Sequence, residues 1–333
     1  MKTILITGAT GFLGTHLVDL LCREEPHARL RLMSRSASPS NGGSQIEAVA
    51  ADITNAEHVE RVVEGADEIY HLAGTVERTP NNPWHLYDVH VAGTRHLCEA
   101  ARRAGVKKIV LASSSGTVAV DREPIVRNED SGYTNEFVSE WPYYLSKIYA
   151  EKLVLRYHRE HGLPVVIVNP SLLLGPGDTR ESSTRDMRLY LEGQIKAVPS
   201  GGLNLVDARD AALGARSAMQ RGRAGERYLL GGPNWTFREW IGHVERVSGL
   251  RGPFLSPSPR AALVMARVAR RILPLFGGAF KLDDESIRMS ALYWYCDTSK
   301  ARAELNFETR DPAQTLRDTI DDLRMRYPEL RAG

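Results

Sequence analysis

The chain has 333 residues, of which 43 are Lys or Arg and 41 are Asp or Glu, so its formal net charge at pH 7 is +2. With 42% hydrophobic and 25% charged residues, the composition is that of a folded globular protein and excludes disordered, collagen-like and coiled-coil chains. The near balance of charge argues against nucleic acid as a partner. The length suffices for two domains, or for one large one, with a substantial core and a catalytic cleft.

Neither a disulfide framework nor a metal site is indicated. Cys22, Cys98 and Cys296 are far apart and form no C-x-x-C pair, so we expect reduced thiols. His85 and its two following histidines are spaced by five and six residues, which does not place them together as metal ligands on a helix. No apolar run approaches the roughly 18 residues of a membrane span or the core of a signal peptide, and we expect a cytoplasmic protein.

Short apolar runs alternate with amphipathic segments through the first half of the chain. The apolar runs predict strands at Thr3 to Thr7, Arg29 to Met33, Ala48 to Ala50, Glu68 to Leu72, Lys108 to Ala112 and Val165 to Asn169. The amphipathic segments predict helices at Phe12 to Arg23, 55–64, 84–104 and 142–161. Strands that alternate with helices form βαβ units, so the sequence predicts an α/β fold with a doubly wound parallel sheet.

The pattern becomes less regular after Pro170. A loop is predicted at Gly252 to Pro259, which contains three prolines, and helices are predicted at Ala261 to Leu273 and Pro312 to Met325. We expect residues 1–170 to form the main α/β domain, with a segment near 203–212 returning to it, and residues 171–333 to form mainly a smaller lobe.

The predicted helix after Ala261 contains Arg267, Arg270 and Arg271 among apolar residues. Amphipathic helices that pack on their own domain have this pattern, and so do helices that lie on a membrane surface. We favour the packed helix and expect no membrane contact.

A glycine-rich turn, with Gly8, Gly11 and Gly14 at a G-x-x-G-x-x-G spacing, follows the first predicted strand and opens the first helix. Glycine allows a tight turn, a close approach of backbone to a pyrophosphate, and close packing of helix on strand. The position at the start of a βαβ unit therefore predicts a dinucleotide site. The residues expected to line it are Gly8, Thr10, Gly11, Phe12, Leu13 and Gly14.

The second strand predicts which dinucleotide is bound. NAD-preferring sites place an acidic residue near the end of this strand, about 20 residues past the glycines. Here Arg35 stands 21 residues after Gly14, and no acid is present. A guanidinium binds a 2′-phosphate through charge-assisted hydrogen bonds, so we predict NADP in preference to NAD. The alternative is that Arg35 is a solvated charge in a loop and does not contact the dinucleotide.

These motifs resemble those of the extended short-chain dehydrogenase/reductase family, which includes the NAD-dependent epimerases and dehydratases. The resemblance covers most of the chain. It implies further cofactor contacts, from Asp52 and Ile53 after the third strand, from the turn after His71, and from the end of the sixth strand. The turn after His71 contributes Leu72, Ala73 and Gly74, and the end of the sixth strand contributes Pro170. Asp52 as the N-terminal cap of the next helix is the alternative.

Tyr143 and Lys147 form a Y-x-x-x-K pair within a predicted helix. Residues four apart lie on one helix face, so both side chains can reach one substrate and one ribose. An adjacent ammonium is expected to lower the pKa of the phenol. Tyr144 is the weaker candidate. The resemblance implies that Tyr143 and Lys147 are catalytic, bind the cofactor, and act with Ser114.

Two positions at this predicted site leave alternatives open. Ser115 is the alternative to Ser114. A further alternative is that all the serines of this stretch satisfy backbone groups instead. His90 stands where the family often has an asparagine that holds a backbone group or a relay water. A histidine donates similarly or alters the relay, so we leave His90 outside the catalytic set.

Within the family, the motifs are most similar to the dihydroflavonol 4-reductase-like branch. The acid that dehydratases carry after the catalytic serine is absent after Ser114. The resemblance implies a ketoreductase or alcohol dehydrogenase that acts on a small-molecule substrate, and a homodimer formed through the helices at 84–104 and 142–161. Alternatives are an NAD-dependent sugar epimerase with tightly bound cofactor and a non-catalytic relative.

Aromatic residues in the second half of the chain either line an apolar pocket or belong to the hydrophobic core. We favour an apolar substrate. These aromatic residues are Trp235, Phe237, Trp240, Phe254, Phe276, Phe280, Tyr293, Trp294 and Tyr295.

Overall fold

The computed structural model describes residues 1–35, 45–77, 82–276 and 283–331. Its strands are β1 (Thr3–Thr7), β2 (Arg29–Ser34), β3 (Ile46–Ala50), β4 (Glu68–His71), β5 (Lys108–Ala112), β6 (Val165–Pro170), β7 (Leu172–Leu174), β8 (Gly202–Asp207), β9 (Arg227–Leu230) and β10 (Asn234–Thr236). Its longer helices are α1 (Phe12–Glu24), α2 (Ala56–Val63), α4 (Gly93–Ala104), α6 (Pro142–His161), α8 (Ala208–Arg221), α9 (Phe237–Ser248), α10 (Pro259–Ile272) and α13 (Pro312–Arg326). Shorter helices are α3 (Pro83–Tyr87), α5 (Asn135–Val138), α7 (Arg185–Leu191), α11 (Asp284–Met289) and α12 (Ser299–Leu305).

Seven strands form one parallel sheet in the order β3-β2-β1-β4-β5-β6-β9. The strand order reverses at β1, as in a doubly wound sheet, so the predicted α/β fold is confirmed. All six predicted strands are present, and their ends differ from the prediction by at most two residues.

Alternate residues of each strand contribute to two separate cores, one on each face of the sheet. Ile4 and Ile6 of β1 pack with α1 and α8. Leu5 between them packs on the other face, against α2, α4 and the end of α6. Successive side chains of a strand point to opposite faces. A sheet covered on both sides therefore requires strands that are apolar throughout, and all five residues of β1 are buried.

The second half of the chain returns to the main domain more than once. Val206 and the buried face of α8 lie in the core that contains Ile4. The seventh strand, β9, and the later Ala301 and Leu305 of α12 join the same core.

A smaller lobe forms from the rest of the second half. Its three-stranded sheet has the order β10-β8-β7, with β8 parallel to β7 and antiparallel to β10. Its core combines α7, α9 and α13, with Met187, Trp240 and Leu316 among the buried residues. Within the described ranges, no helix combines the length and the apolarity needed to cross a membrane.

Candidate active site

The glycine turn brings the end of β1 against the segment that follows β4. Gly8 has φ +71, and a Cβ there would lie 2.7 Å from the backbone N of Ala73. A Cβ at Gly14 would lie 2.9 Å from the Cα of Ala9, so α1 packs directly on the turn. Side chains at these two positions would block the turn, as the sequence analysis predicted.

The first turn of α1 is free of side chains that would compete with an anion. Gly11 is its N-terminal cap residue, no side chain caps the helix, and its first turn contains no acidic residue. The guanidinium of Arg180, from the loop after β7, lies 3.4 Å from the Thr10 hydroxyl. Backbone N–H groups, the helix dipole and a guanidinium thus surround one point, which fits the pyrophosphate of a dinucleotide.

Arg35 and Asp52 lie at the carboxyl ends of neighbouring strands, β2 and β3. Arg35 is exposed. The carboxylate of Asp52 accepts hydrogen bonds from Thr54 N (2.9 Å) and Thr54 Oγ1 (2.8 Å). The backbone hydrogen bond from Thr54, and more weakly the charge of Arg35, lower the pKa of Asp52. Asn55, not Asp52, caps α2.

A chain of hydrogen bonds joins the glycine turn to α4. Ala73 N donates to Thr7 Oγ1 (3.1 Å), which lies 2.8 Å from His71 Nδ1. His71 Nε2 lies 2.9 Å from Thr94 Oγ1, and that hydroxyl donates to the carbonyl of His90. Thr94 therefore accepts from Nε2–H, and Nδ1 of His71 accepts from Thr7. Burial lowers the pKa of His71 to about 3, so its ring is neutral.

His90 lies in a π-helical turn, Asp88–Ala92, between α3 and α4. Its Nε2 accepts from Thr75 N (3.1 Å), so its proton is on Nδ1 and is donated to Ser146 Oγ (2.8 Å). Ser146 in turn donates to the carbonyl of Tyr143 (2.7 Å). Burial, and next Lys147, lower the pKa of His90. A neutral histidine therefore connects the turn after β4 to helix α6.

Tyr143 and Ser114 lie side by side, close enough for the Ser114 side chain to lower the pKa of Tyr143. Burial raises the pKa of Tyr143 to about 12, against the opposing effect of Ser114. The sequence-based expectation that Lys147 lowers this pKa is wrong for the protein without cofactor, because desolvation of the phenolate dominates. The phenol is protonated at neutral pH.

Lys147 lies one helical turn after Tyr143 and is 8% exposed. Its Nζ donates to the carbonyl of Ala112 (3.0 Å). Among the described residues that carbonyl is its one hydrogen-bond acceptor, so two of the three ammonium N–H groups remain for the hydroxyls of a ribose. A Cβ at Gly74 would lie 3.4 Å from Nζ, which shows how closely the turn after β4 approaches. Burial lowers the pKa of Lys147 to about 8.

The neighbours of the catalytic candidates face other partners. Ser115 is buried in a short 3-10 turn, and its carbonyl accepts from Val118 N and Ala119 N. Tyr144 packs on Trp294, with ring centroids 5.0 Å apart. Of the two serines, the structure places Ser114 against Tyr143.

A buried polar network adjoins Ser114 and Lys147 and was not predicted from the sequence. Glu151, fully buried on α6, accepts from Thr117 Oγ1 (2.8 Å) and Asn169 Nδ2 (2.7 Å), and Arg227 lies 3.3 Å from its second oxygen. Asn169 also donates to the carbonyl of Ser114 (3.0 Å). Glu151 follows Lys147 by four residues, a spacing that would have revealed it.

The aromatic residues of the second half divide between core and site. Trp235, Phe237 and Trp240 pack in or against the core of the small lobe. Trp294 instead packs on Tyr144 and on Trp141, beside the catalytic helix. Phe254 is exposed, Tyr293 and Tyr295 contact each other, and Phe280 and the side chain of Phe276 lie outside the described residues.

The remaining predicted residues follow or end strands of the main sheet. Phe12 and Leu13 open α1. Pro170 ends β6 next to β9. Ile53 is buried against Gly93 of α4. No group of three or more potential metal ligands occurs in the ranges that the structure describes.

A dinucleotide-binding sheet with a Ser-Tyr-Lys set at its carboxyl edge defines a nicotinamide-dependent enzyme of the extended short-chain dehydrogenase/reductase class. The chain belongs to the NAD dependent epimerase/dehydratase family, whose model matches residues 4–231.

Relatives and solved structures match almost the whole chain. A putative dihydroflavonol 4-reductase from Synechocystis sp. is 29% identical, over 95% of this chain and 92% of its own. Sterol demethylase protein B from Methylococcus capsulatus is 30% identical, over 96% and 97%. The crystal structure of gox2253 superposes with a TM-score of 0.79 at 29% identity, over 98% and 99%. That of a nucleoside-diphosphate-sugar epimerase from Pseudomonas aeruginosa superposes with a TM-score of 0.76 at 25% identity, over 98% of both chains.

Proposed function

We propose that the protein is an NADP(H)-dependent oxidoreductase, a ketoreductase or alcohol dehydrogenase, that acts on a carbonyl or hydroxyl group of a small, largely apolar substrate. The observation that carries this proposal is the juxtaposition of Tyr143 with Ser114, with Lys147 one helical turn further along α6. A bound nicotinamide would supply or accept the hydride.

Tyr143 is suited to deliver a proton to the substrate oxygen. Because its pKa is raised to about 12, the phenol is fully protonated at neutral pH. Reduction of a carbonyl group needs this protonated form, whereas oxidation of an alcohol needs the phenolate. Before the cofactor binds, the site therefore holds the proton that reduction of a carbonyl group would consume.

Ser114 and Lys147 position the other groups. Ser114 Oγ lies beside the Tyr143 hydroxyl, so both groups can hydrogen-bond one substrate oxygen and stabilise the negative charge that develops on it. The free N–H groups of Lys147 can hold the ribose next to the nicotinamide. Fixed placement of this kind supplies much of the rate acceleration in such a reaction.

Apolar side chains next to Tyr143 support an apolar substrate. The ring of Tyr144 lies 5.0 Å from that of Tyr143 and belongs with Trp141, Val120 and Trp294 to one hydrophobic cluster. Two relatives that match nearly the full chain are named a putative dihydroflavonol 4-reductase and a sterol demethylase protein, and both names refer to multi-ring compounds. NADP is supported by the exposed Arg35 at the end of β2.

The test is NADPH oxidation with a panel of apolar ring ketones. We expect Tyr143→Phe to lower kcat at least about a hundredfold, because it removes the proton donor. Stabilisation of the variant by NADP⁺ against heat should stay nearly unchanged, because the glycine turn and Lys147 still hold the dinucleotide when the phenol hydroxyl is lost. Tyr144→Phe, which removes the neighbouring hydroxyl, should keep its turnover.

Two results would overturn the proposal. Turnover of Tyr143→Phe at the wild-type rate would exclude Tyr143 as the proton donor. Co-purified NAD that is never released, together with interconversion of nucleotide-sugar epimers and no net use of NADPH, would identify a sugar epimerase instead.

A further inference from the structure

Helix α10 presents an apolar stripe to solvent. Val264, Met265, Val268 and Ile272 are 57%, 44%, 49% and 45% exposed. Their spacing of one, three and four residues places them on one side of the helix. Ala266, on the opposite side, is buried against the protein. The helix thus packs through one side only, and the sequence-based expectation of a simply packed amphipathic helix does not account for this stripe.

A row of arginines borders the stripe. Arg260, Arg267 and Arg271 are exposed, and their spacing of seven and four residues places them along one line of the helix. None of the three forms an ion pair with a residue in the described ranges, whereas Arg270 pairs with Asp284 at 2.5 Å. Between Gly249 and Phe276 the chain has five arginines and no acidic residue.

We propose that the docking face, meaning the stripe of Val264, Met265, Val268 and Ile272 with this arginine row, binds the surface of an anionic lipid bilayer. Interfacial helices bury an apolar face at the level of the acyl chains while flanking arginines contact phosphates. Each basic residue near an anionic surface adds to the affinity, and the arginine row supplies three.

The charge pattern favours lipid over a second copy of the chain. Two docking faces packed against each other about a two-fold axis would leave both arginine rows at the edges of the contact, side by side where the two helices run antiparallel. No carboxylate of α10 would be available to pair with them, since the helix contains none. The homodimer predicted from the sequence would use other helices, α4 and α6. An anionic bilayer satisfies both the stripe and the arginines.

Docking at this face would place the active-site aromatic cluster close to lipid. Helix α10 packs on α11, and Met289 at the end of α11 packs in the cluster that contains Trp294 and Tyr144. An apolar substrate dissolved in the bilayer would then enter beside Tyr143. This last step rests on the proposed function, whereas lipid binding itself does not.

The test is sedimentation of the full chain with vesicles of phosphatidylcholine that contain about one third phosphatidylglycerol. We expect binding that weakens at high salt, and little binding to pure phosphatidylcholine. Arg267→Gln with Arg271→Gln should weaken binding about tenfold or more. Val264→Glu with Val268→Glu should weaken it at least as much, because it removes the apolar contact and adds repulsion.

Matched controls alter equally exposed residues on other elements. Leu213→Glu with Met325→Glu adds the same charge, and Arg61→Gln with Arg238→Gln removes the same charge. Both pairs should bind as the wild type does, apart from a small general effect of net charge. All variants should turn over a water-soluble ketone normally.

Three outcomes would overturn the proposal. The first is that the wild type remains in the supernatant with the anionic vesicles. The second is that the docking-face variants bind no more weakly than their controls. The third is that Val264→Glu with Val268→Glu converts a dimer to a monomer while no form binds vesicles, which would assign the face to a second copy. Because the readout is vesicle binding, these outcomes are independent of whether the enzyme reduces ketones.

Discussion

Three residues on one face of α6, Tyr143, Lys147 and Glu151, connect the surface of the site to the core. Burial lowers the pKa of Lys147 to about 8, and the charge of Glu151 opposes this effect. Glu151 is itself held by Thr117 and Asn169. The charge on Lys147 at physiological pH thus depends on a fully buried carboxylate one helical turn away.

Glu151→Gln should move the basic limb of the pH profile of kcat/KM to lower pH. In the wild type, activity should fall as the pH rises through about 8, because neutral Lys147 loses charge-assisted hydrogen bonds to the ribose. Without the carboxylate charge the pKa of Lys147 falls further, so the loss begins earlier. Glu160→Gln, on the same helix but exposed, is the control. A basic limb that stays in place in Glu151→Gln would contradict this role.

Arg35→Ser should weaken NADP binding about 10- to 100-fold and leave NAD binding nearly unchanged, because a charge-assisted hydrogen bond to the 2′-phosphate is lost. Titration calorimetry with each dinucleotide measures both affinities. Arg61→Ser, at an exposed position of α2, should change neither. Equal losses for NADP and NAD in Arg35→Ser would show that Arg35 does not discriminate between them.

The sequence predicted one helix over 84–104, and the structure has α3, a π-helical turn and α4 there. A π turn contains one residue more than an α turn, so periodicity cannot place it. This turn brings His90 to Thr75 and to Ser146. His90 could be recognised from its position as a departure from the family motif, whereas its hydrogen bonds depended on the local geometry.

The glycine turn at the end of β1 permits a matched test. Gly8→Ala should abolish dinucleotide binding, because its Cβ would lie 2.7 Å from the backbone of Leu72 and Ala73 in addition to the cost of a left-handed φ. Gly65→Ala has nearly the same φ, +70, and open space around its Cβ, so it isolates the cost of φ alone.

We expect Gly65→Ala to lose about 1 kcal/mol of stability and to keep full affinity for the dinucleotide. Urea unfolding and titration with NADP⁺ measure the two effects. Undiminished binding by Gly8→Ala would show that the turn tolerates a side chain.

Local patterns made much of the site predictable. Gly8 and the pair Tyr143 and Lys147 depend on a turn and on one helix face, both of which a sequence displays directly. Trp294 and Arg180 reach the site through packing between segments more than a hundred residues apart in sequence. No local pattern marks such contacts. The choice between Ser114 and Ser115 also needed the 3-10 turn, which buries Ser115 and leaves Ser114 partly exposed.

At the scale of the whole molecule, the loop after β7 connects the small lobe to the dinucleotide side of the sheet. His16 Nε2 on α1 lies 2.9 Å from the carbonyl of Pro176, and Arg180 reaches Thr10. Asp178, buried in this loop, accepts hydrogen bonds from three successive backbone N–H groups that begin at Ser182, which keeps the loop compact.

This loop has a kinetic consequence. We expect the contacts of His16 and Arg180 to slow the release of a dinucleotide from the glycine turn, so that release, rather than the reduction itself, limits turnover. Ketones of different intrinsic reactivity should then share one kcat, and His16→Ala should raise it severalfold, by about the worth of one hydrogen bond. Stopped-flow release of NADP⁺ measures the step directly. A kcat that follows the reactivity of the ketone would show instead that chemistry sets the pace.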